Sequence, residues 1–174
     1  MIRVIGLGSP FGADRLGWDV VERLHGRVPA AVHLMTLDRP GVALISWMDN
    51  VDWLILVDAV VTERSPPGRV LHFAPEQIRH NPAGTLSSHG LNLPQTLRLA
   101  STLGSLPRRL DLFGVVVDAC RTENSRHGIA TGTTQLIAQL AAMLGGDHRP
   151  DSASDDPARG SAVQIPSASP IKTS

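Results

Sequence analysis

The chain has 174 residues, a formal net charge of zero and a pI of about 7.1, which suits one domain with a sizeable core and excludes an electrostatic grip on nucleic acid or an anionic membrane. Its single cysteine, Cys120, excludes an intramolecular disulfide framework. The strongest apolar run, Val51 to Val61, is broken by Asp52 and Asp58, and no basic segment leads into a long apolar one, so neither a signal peptide nor a membrane span is expected and the protein reads as cytoplasmic.

Ile2-Arg3-Val4-Ile5 reads as a first strand and runs into a glycine-rich turn, Gly6-Leu7-Gly8-Ser9-Pro10-Phe11-Gly12-Ala13-Asp14. Leu16, Val20, Val21 and Leu24 then recur at helical spacing, with Asp14 and Arg15 in the capping region. Ala31 to Leu37 reads as a second strand, followed by an Asp38-Arg39-Pro40-Gly41 turn and a short apolar helix through Trp47. Trp53-Leu54-Ile55-Leu56-Val57 is continuously apolar, the mark of a central strand covered on both faces.

Ser65-Pro66-Pro67-Gly68 forms a turn into a fourth strand, Arg69 to Phe73. The stretch from Val57 to Phe73 is too short for a crossover helix, which predicts an antiparallel hairpin there. Leu91 to Leu103 is helical by period, Leu110 to Val117 is another buried strand, and Thr131 to Leu144 is a closing helix. Strand and helix alternate, which predicts an α/β fold: a three-layer α/β/α sandwich on a mostly parallel, five-stranded twisted sheet with one antiparallel strand. From residue 146 to 174 the chain is rich in Ser, Pro, Gly and Asp and has no aromatic residue, so a disordered tail is expected there.

The first loop admits two functional readings. One is a phosphate cradle at a helix N-terminus. The dinucleotide pattern, however, meets Phe11 where its third glycine belongs, Pro10 removes an amide donor, and no Walker lysine follows. The other reading is a turn that presents Asp14. A purely structural turn is the third possibility.

In such a sheet ligands bind at the carboxyl ends of the strands. Asp14, Asp38 and Asp58 follow the first three strands, and Ser87-Ser88-His89-Gly90 follows the fourth. Asp58 comes directly after five apolar residues, where an ionised carboxylate is costly unless it is paired, hydrogen-bonded or bound to a cation. A turn or cap role would also satisfy it. Asp, Asp and His together form an oxygen and nitrogen set suited to a divalent transition metal with open positions. Cys120 with His127 would make a nucleophile and base, but no activating environment for the thiol is visible. Arg39 and Arg121 read as solubility or ion-pair residues.

Gly6-Leu7-Gly8-Ser9-Pro10, Asp14-Arg15-Leu16-Gly17, Asp38-Arg39-Pro40-Gly41, Leu56-Val57-Asp58-Ala59, Pro67-Gly68, Ser88-His89-Gly90-Leu91, Leu112-Phe113-Gly114-Val115 and Gly128-Ile129 stand in a telling order and spacing. In this the chain resembles the hydrogenase maturation proteases, nickel-dependent endopeptidases that trim the C-terminus of nickel-iron hydrogenase large subunits. The resemblance covers residues 1 to 144 and implies a catalytic domain over 1–145. It also implies metal contacts at Asp14, Asp58 and His89. Counting back from Gly17 selects Asp14, whereas counting forward from Gly8 would select Arg15, which cannot ligate a metal. Asp38 is implied as a supporting carboxylate, which completes an aspartyl-type site of Asp14, Asp38, Asp58 and His89.

Where the family has Gly-Asn and Asp-Gly-Gly-Thr, this chain has Gly8-Ser9 and Asp38-Arg39-Pro40-Gly41, the pattern of a divergent branch with its own target subunit. The resemblance thus implies a monomeric endopeptidase that removes the C-terminal extension of a large-subunit precursor after nickel insertion. Nickel would arrive with the precursor and serve for recognition. The alternatives are a nickel- or precursor-binding chaperone that does not cut, and a nucleotide-binding α/β domain.

Overall fold

A computed structural model describes residues 1–10, 15–74, 77, 93–118 and 123–146. The elements in chain order are β1 (Ile2–Gly8), α1 (Leu16–Leu24), β2 (Val32–Asp38), a 3₁₀ helix (Gly41–Trp47), β3 (Trp53–Val61), β4 (Val70–Phe73), α2 (Leu93–Thr102), β5 (Arg109–Val117) and α3 (Glu123–Gly145). They build one five-stranded sheet in the order β2-β1-β3-β5-β4, parallel except for β4, which runs antiparallel to β5.

Alternation along the central strands feeds two apolar layers. Val4, Ile55, Val57, Phe113 and Val115 face α1 and α3, where Val20, Val21, Leu24, Leu136, Ile137 and Leu140 meet them. Ile5, Leu7, Leu54, Leu56 and Leu112 face the 3₁₀ helix and α2, against Leu44, Met48, Leu93, Leu97 and Ala100. The three-layer α/β/α sandwich expected from the sequence is therefore present. Among the described residues no helix is long and apolar enough to cross a membrane.

Three boundaries differ from the sequence expectation. First, the antiparallel strand does not pair with β3 in a hairpin; β5 lies between them and is the strand to which β4 pairs. The nine-residue register of β5 on β3 takes the edge that a hairpin would have used. Second, β1 continues through Gly6 and Gly8, which lie opposite Thr36 and Asp38 of β2. The loop starts only after Gly8, so neither of these glycines belongs to a phosphate-cradling turn. Third, α3 begins at Glu123, two turns before the predicted Thr131. Gly128 and Gly132 weaken the helical signal there, and both pack on the Pro67-Gly68 main chain, where a Cβ would collide.

At the amino end of the sheet, Asp111 is 7% exposed and accepts three hydrogen bonds. Its donors are Trp53 Nε1 at 2.7 Å, His72 Nε2 at 2.7 Å and Arg109 Nε at 2.8 Å. Arg109 also lies 3.8 Å over the Trp53 ring, and the His72 ring stacks on Phe113 at 4.5 Å. Burial pushes the Asp111 carboxyl up, but the three donors and the Arg109 charge outweigh it and hold the group below its ordinary range.

Candidate functional site

β1 connects through α1 to β2 on one side, while β3 takes its place on the other. The gap between the carboxyl ends of β1 and β3 is therefore a topological switch point, where open α/β sheets bind ligands. The β1 to β3 ladder ends at Gly6 opposite Val57, so Asp58 is the first residue of β3 beyond it. On its other side Asp58 still lies opposite Gly114 of β5, and β3 runs on to Val61. The carboxylate thus stands within the strand and not at its end, with β1 stepping away beside it.

Asp58 is 5% exposed. Its Oδ1 accepts the Ala59 main-chain N–H at 2.8 Å. Leu54, Leu56 and Val60 belong to the α2 layer, so alternation turns Asp58 toward that layer too. Leu93, four residues after His89 in sequence, is buried in the same layer. His89 itself lies outside the described residues, as does Asp14.

The start of α1 is seated on the crevice. Gly17 approaches so closely that a Cβ there would lie 2.6 Å from the Val57 carbonyl oxygen and 2.9 Å from the Leu7 nitrogen. Asp14 precedes this anchored glycine by three residues. Arg15 points along the helix surface, pairing with Asp19 Oδ1 at 2.8 Å and Glu22 Oε2 at 2.8 Å. Those two carboxylates raise the Arg15 pKa. The positive end of the α1 dipole faces the crevice and favours negative charge there.

Asp38 ends β2 opposite Gly8. It shares the carboxyl edge with Asp58, but β1 lies between them, a span of about 10 Å across two strand spacings. Val32 and Leu34 pack in the α1 layer, so alternation turns Asp38 to the face opposite Asp58. The two carboxylates are not brought into contact. Asp38 is half-exposed and accepts from Arg39 Nε at 2.9 Å. Arg39 holds φ at +40°, an uncommon conformation for a side-chain-bearing residue, and its N–H donates to the Gly8 carbonyl at 3.1 Å. Trp18 Nε1 donates to the Leu37 carbonyl at 3.3 Å and ties α1 to the same corner.

Among the described residues no three His, Cys, Asp or Glu side chains gather closely enough to hold a metal. Two of the three ligands expected from the sequence, Asp14 and His89, fall outside them. Cys120 also lies outside the described residues, and His127 is exposed on α3. Sequence reasoning passed over Asp118, which follows β5 at the carboxyl edge and lines a cavity of about 500 Å³ with Leu16, Val117, Arg126 and Ile129. Its signal was the one that marked Asp58, a carboxylate directly after a buried apolar strand.

A family model described as hydrogenase maturation protease matches residues 18–137, a span that includes Asp38, Asp58 and His89. The hydrogenase 2 maturation protease of Escherichia coli is 30% identical over 121 residues, covering 68% of this chain and 74% of that protein. The hydrogenase expression/formation protein HupD of Bradyrhizobium diazoefficiens is 30% identical over 117 residues, 65% of this chain and 60% of its own. The solved hydrogenase maturating endopeptidase HybD from E. coli superposes with a TM-score of 0.62 at 26% identity, covering 82% of this chain and 93% of that one. A [NiFe] hydrogenase maturation protease HybD from Thermococcus kodakarensis shares the fold with a TM-score of 0.62 at 17% identity.

Proposed function

The chain belongs to the hydrogenase maturation protease family, and from that premise we propose that it removes the C-terminal extension of a nickel-iron hydrogenase large-subunit precursor once nickel has been inserted. The enzyme class is endopeptidase, as for its relatives. The finer reading concerns what the carboxyl edge recognises. Nickel carried by the precursor docks on Asp14, Asp58 and His89, and its presence reports that insertion is complete.

One observation carries this reading: the carboxylate of Asp58 is buried at the switch point, beside the anchored start of α1. A buried carboxylate is costly in an apolar layer, and an incoming cation offsets that cost. The donor set of two carboxylates and an imidazole suits a divalent transition metal and leaves coordination positions for the precursor's own ligands. A divalent ion held there supplies Lewis acidity toward a carbonyl or a water. The protein's own contribution is position. Asp58 is fixed by β3 and by the Ala59 N–H, Gly17 seats the start of α1 against Leu7 and Val57, and Asp38, on the other face of the sheet edge, would act only in support, on the backbone of an arriving segment. On this reading the protein acts in the cytoplasm as a monomer.

Co-expression with a large-subunit precursor, followed by intact-mass measurement, tests the proposal. Loss of a C-terminal fragment from nickel-loaded but not nickel-free precursor is the expected result. Stable association with no change in precursor mass would instead establish the non-cutting chaperone role.

A further inference from the structure

Helix α3 meets the turn that leads into the edge strand β4 through its glycines. Gly128 and Gly132 rest on the main chain of Pro67 and Gly68, and no side chain fits between them. One and two turns further along α3, Gln135 and Gln139 replace the glycines, and a cavity of about 350 Å³ opens between them and Gly68, Arg69, Val70 and His72. It is a wedge, closed at the glycine end and open at the glutamine end.

The polar groups on its wall carry one fixed positive charge. Arg69 brings a guanidinium, Gln135 and Gln139 stand four apart on one helix face, and among the described residues no carboxylate lines the cavity. Among the described residues no carboxylate pairs with Arg69 and neither glutamine side chain has a hydrogen-bond partner. His72 is fixed, with Nε2 held by the buried Asp111 at 2.7 Å and its ring stacked within 10° of Phe113. Because Asp111 is ionised and acceptor-only, the hydrogen on Nε2 points at it. The ring is therefore a fixed part of the wall. Among the described residues the recess offers a guanidinium and two carboxamides to an incoming anion and holds no competing carboxylate.

We propose that the wedge between β4 and α3 is a carboxylate-binding site, in which Arg69 and the amides of Gln135 and Gln139 hold the oxygens against the fixed ring of His72. The guanidinium fork matches a planar carboxylate with two parallel N–H donors, and the carboxamides add donors from the opposite wall. The volume admits a small free acid or one acidic residue of a peptide, and the chemistry of capture is the same for both. The proposal stands apart from the proteolytic reading and neither needs it nor supports it.

The test is a titration of the ¹⁵N-labelled full chain at fixed ionic strength, read by amide chemical shifts. Four probes are used: sodium acetate, inorganic phosphate, a blocked Gly-Asp-Gly peptide and its Gly-Asn-Gly counterpart. Saturable shifts confined to residues 68–72 and 135–139 are expected with acetate and the Asp peptide but not with the Asn peptide. Arg69→Gln weakens binding about tenfold, the loss of one charge-assisted pair, and leaves the melting temperature unchanged because the side chain is exposed. Tighter binding of the Asp peptide than of acetate assigns the source as a protein acid, and the reverse assigns a free small acid. Shifts that do not saturate, phosphate binding tighter than both carboxylates, or an affinity indifferent to Arg69→Gln would each overturn the proposal.

Discussion

Gly17, in the first turn of α1, lies against the main-chain carbonyl of Val57, the residue before Asp58. The helix and the central strand meet there with no room for a methyl group. Gly17→Ala must push α1 away from both Leu7 and Val57. A loss of about 1–3 kcal/mol is expected from such overpacking, read as a lower urea midpoint with an unchanged slope. Processing activity should fall as well, since the displaced helix carries the loop of Asp14.

Asp58→Asn retains an oxygen that can accept the Ala59 N–H and differs little in volume. A cooperative thermal transition within about 1 kcal/mol of the native protein is expected, together with complete loss of precursor cleavage by intact mass. A variant that unfolds instead would mark Asp58 as a structural residue.

Asp111 ties stability to acid. Its carboxyl is held below the ordinary range in the folded protein, so the unfolded chain binds a proton there more readily. The stabilisation is complete above the unfolded value of about 3.9 and is lost as pH falls through the lowered folded value. Denaturation curves between pH 6 and about 2 should show the native protein losing stability below about pH 4 more steeply than Asp111→Asn. Asp111→Ala leaves the buried Trp53 N–H without its acceptor while His72 and Arg109, both half-exposed, turn to water, and a cost of about 1–3 kcal/mol at neutral pH follows from the unsatisfied donor.

Arg39→Gly should stabilise the protein. Arg39 holds φ at +40° immediately before Pro40, and a left-handed conformation costs a side-chain-bearing residue about 1–2 kcal/mol. Glycine removes that strain but adds freedom to the unfolded chain worth about 0.5–1 kcal/mol, which leaves a net gain of up to about 1.5 kcal/mol. Differential scanning calorimetry would register it as a rise in melting temperature. A fall would show that the Arg39 to Asp38 pair matters more than the backbone strain.

The sheet was legible because its two central strands, Trp53–Val57 and Leu110–Val117, are apolar on both faces, which only a covered parallel sheet requires. The partner of β4 was hidden, because a local length argument cannot see that a strand forty residues later in sequence competes for the same edge. The first two turns of α3 were hidden by Gly128 and Gly132, whose reason for being glycine is a contact with Gly68 far away in sequence. At the site, the apolar run before Asp58 marked it as a carboxylate that needs a partner, but the sequence put it at the end of its strand, and only the pairing with β5 shows the strand running on past it. That Asp38 faces the opposite side depends on the register of β2 against β1, and no residue near Asp38 announces it.

The strand order also sets a timetable for synthesis. β3 gains its second neighbour, and β4 any neighbour at all, only when β5 is present. A chain emerging from a ribosome therefore holds its central strand half-clothed until Val117 has been made, well after His89 in sequence. Such late, long-range closure is slow by nature.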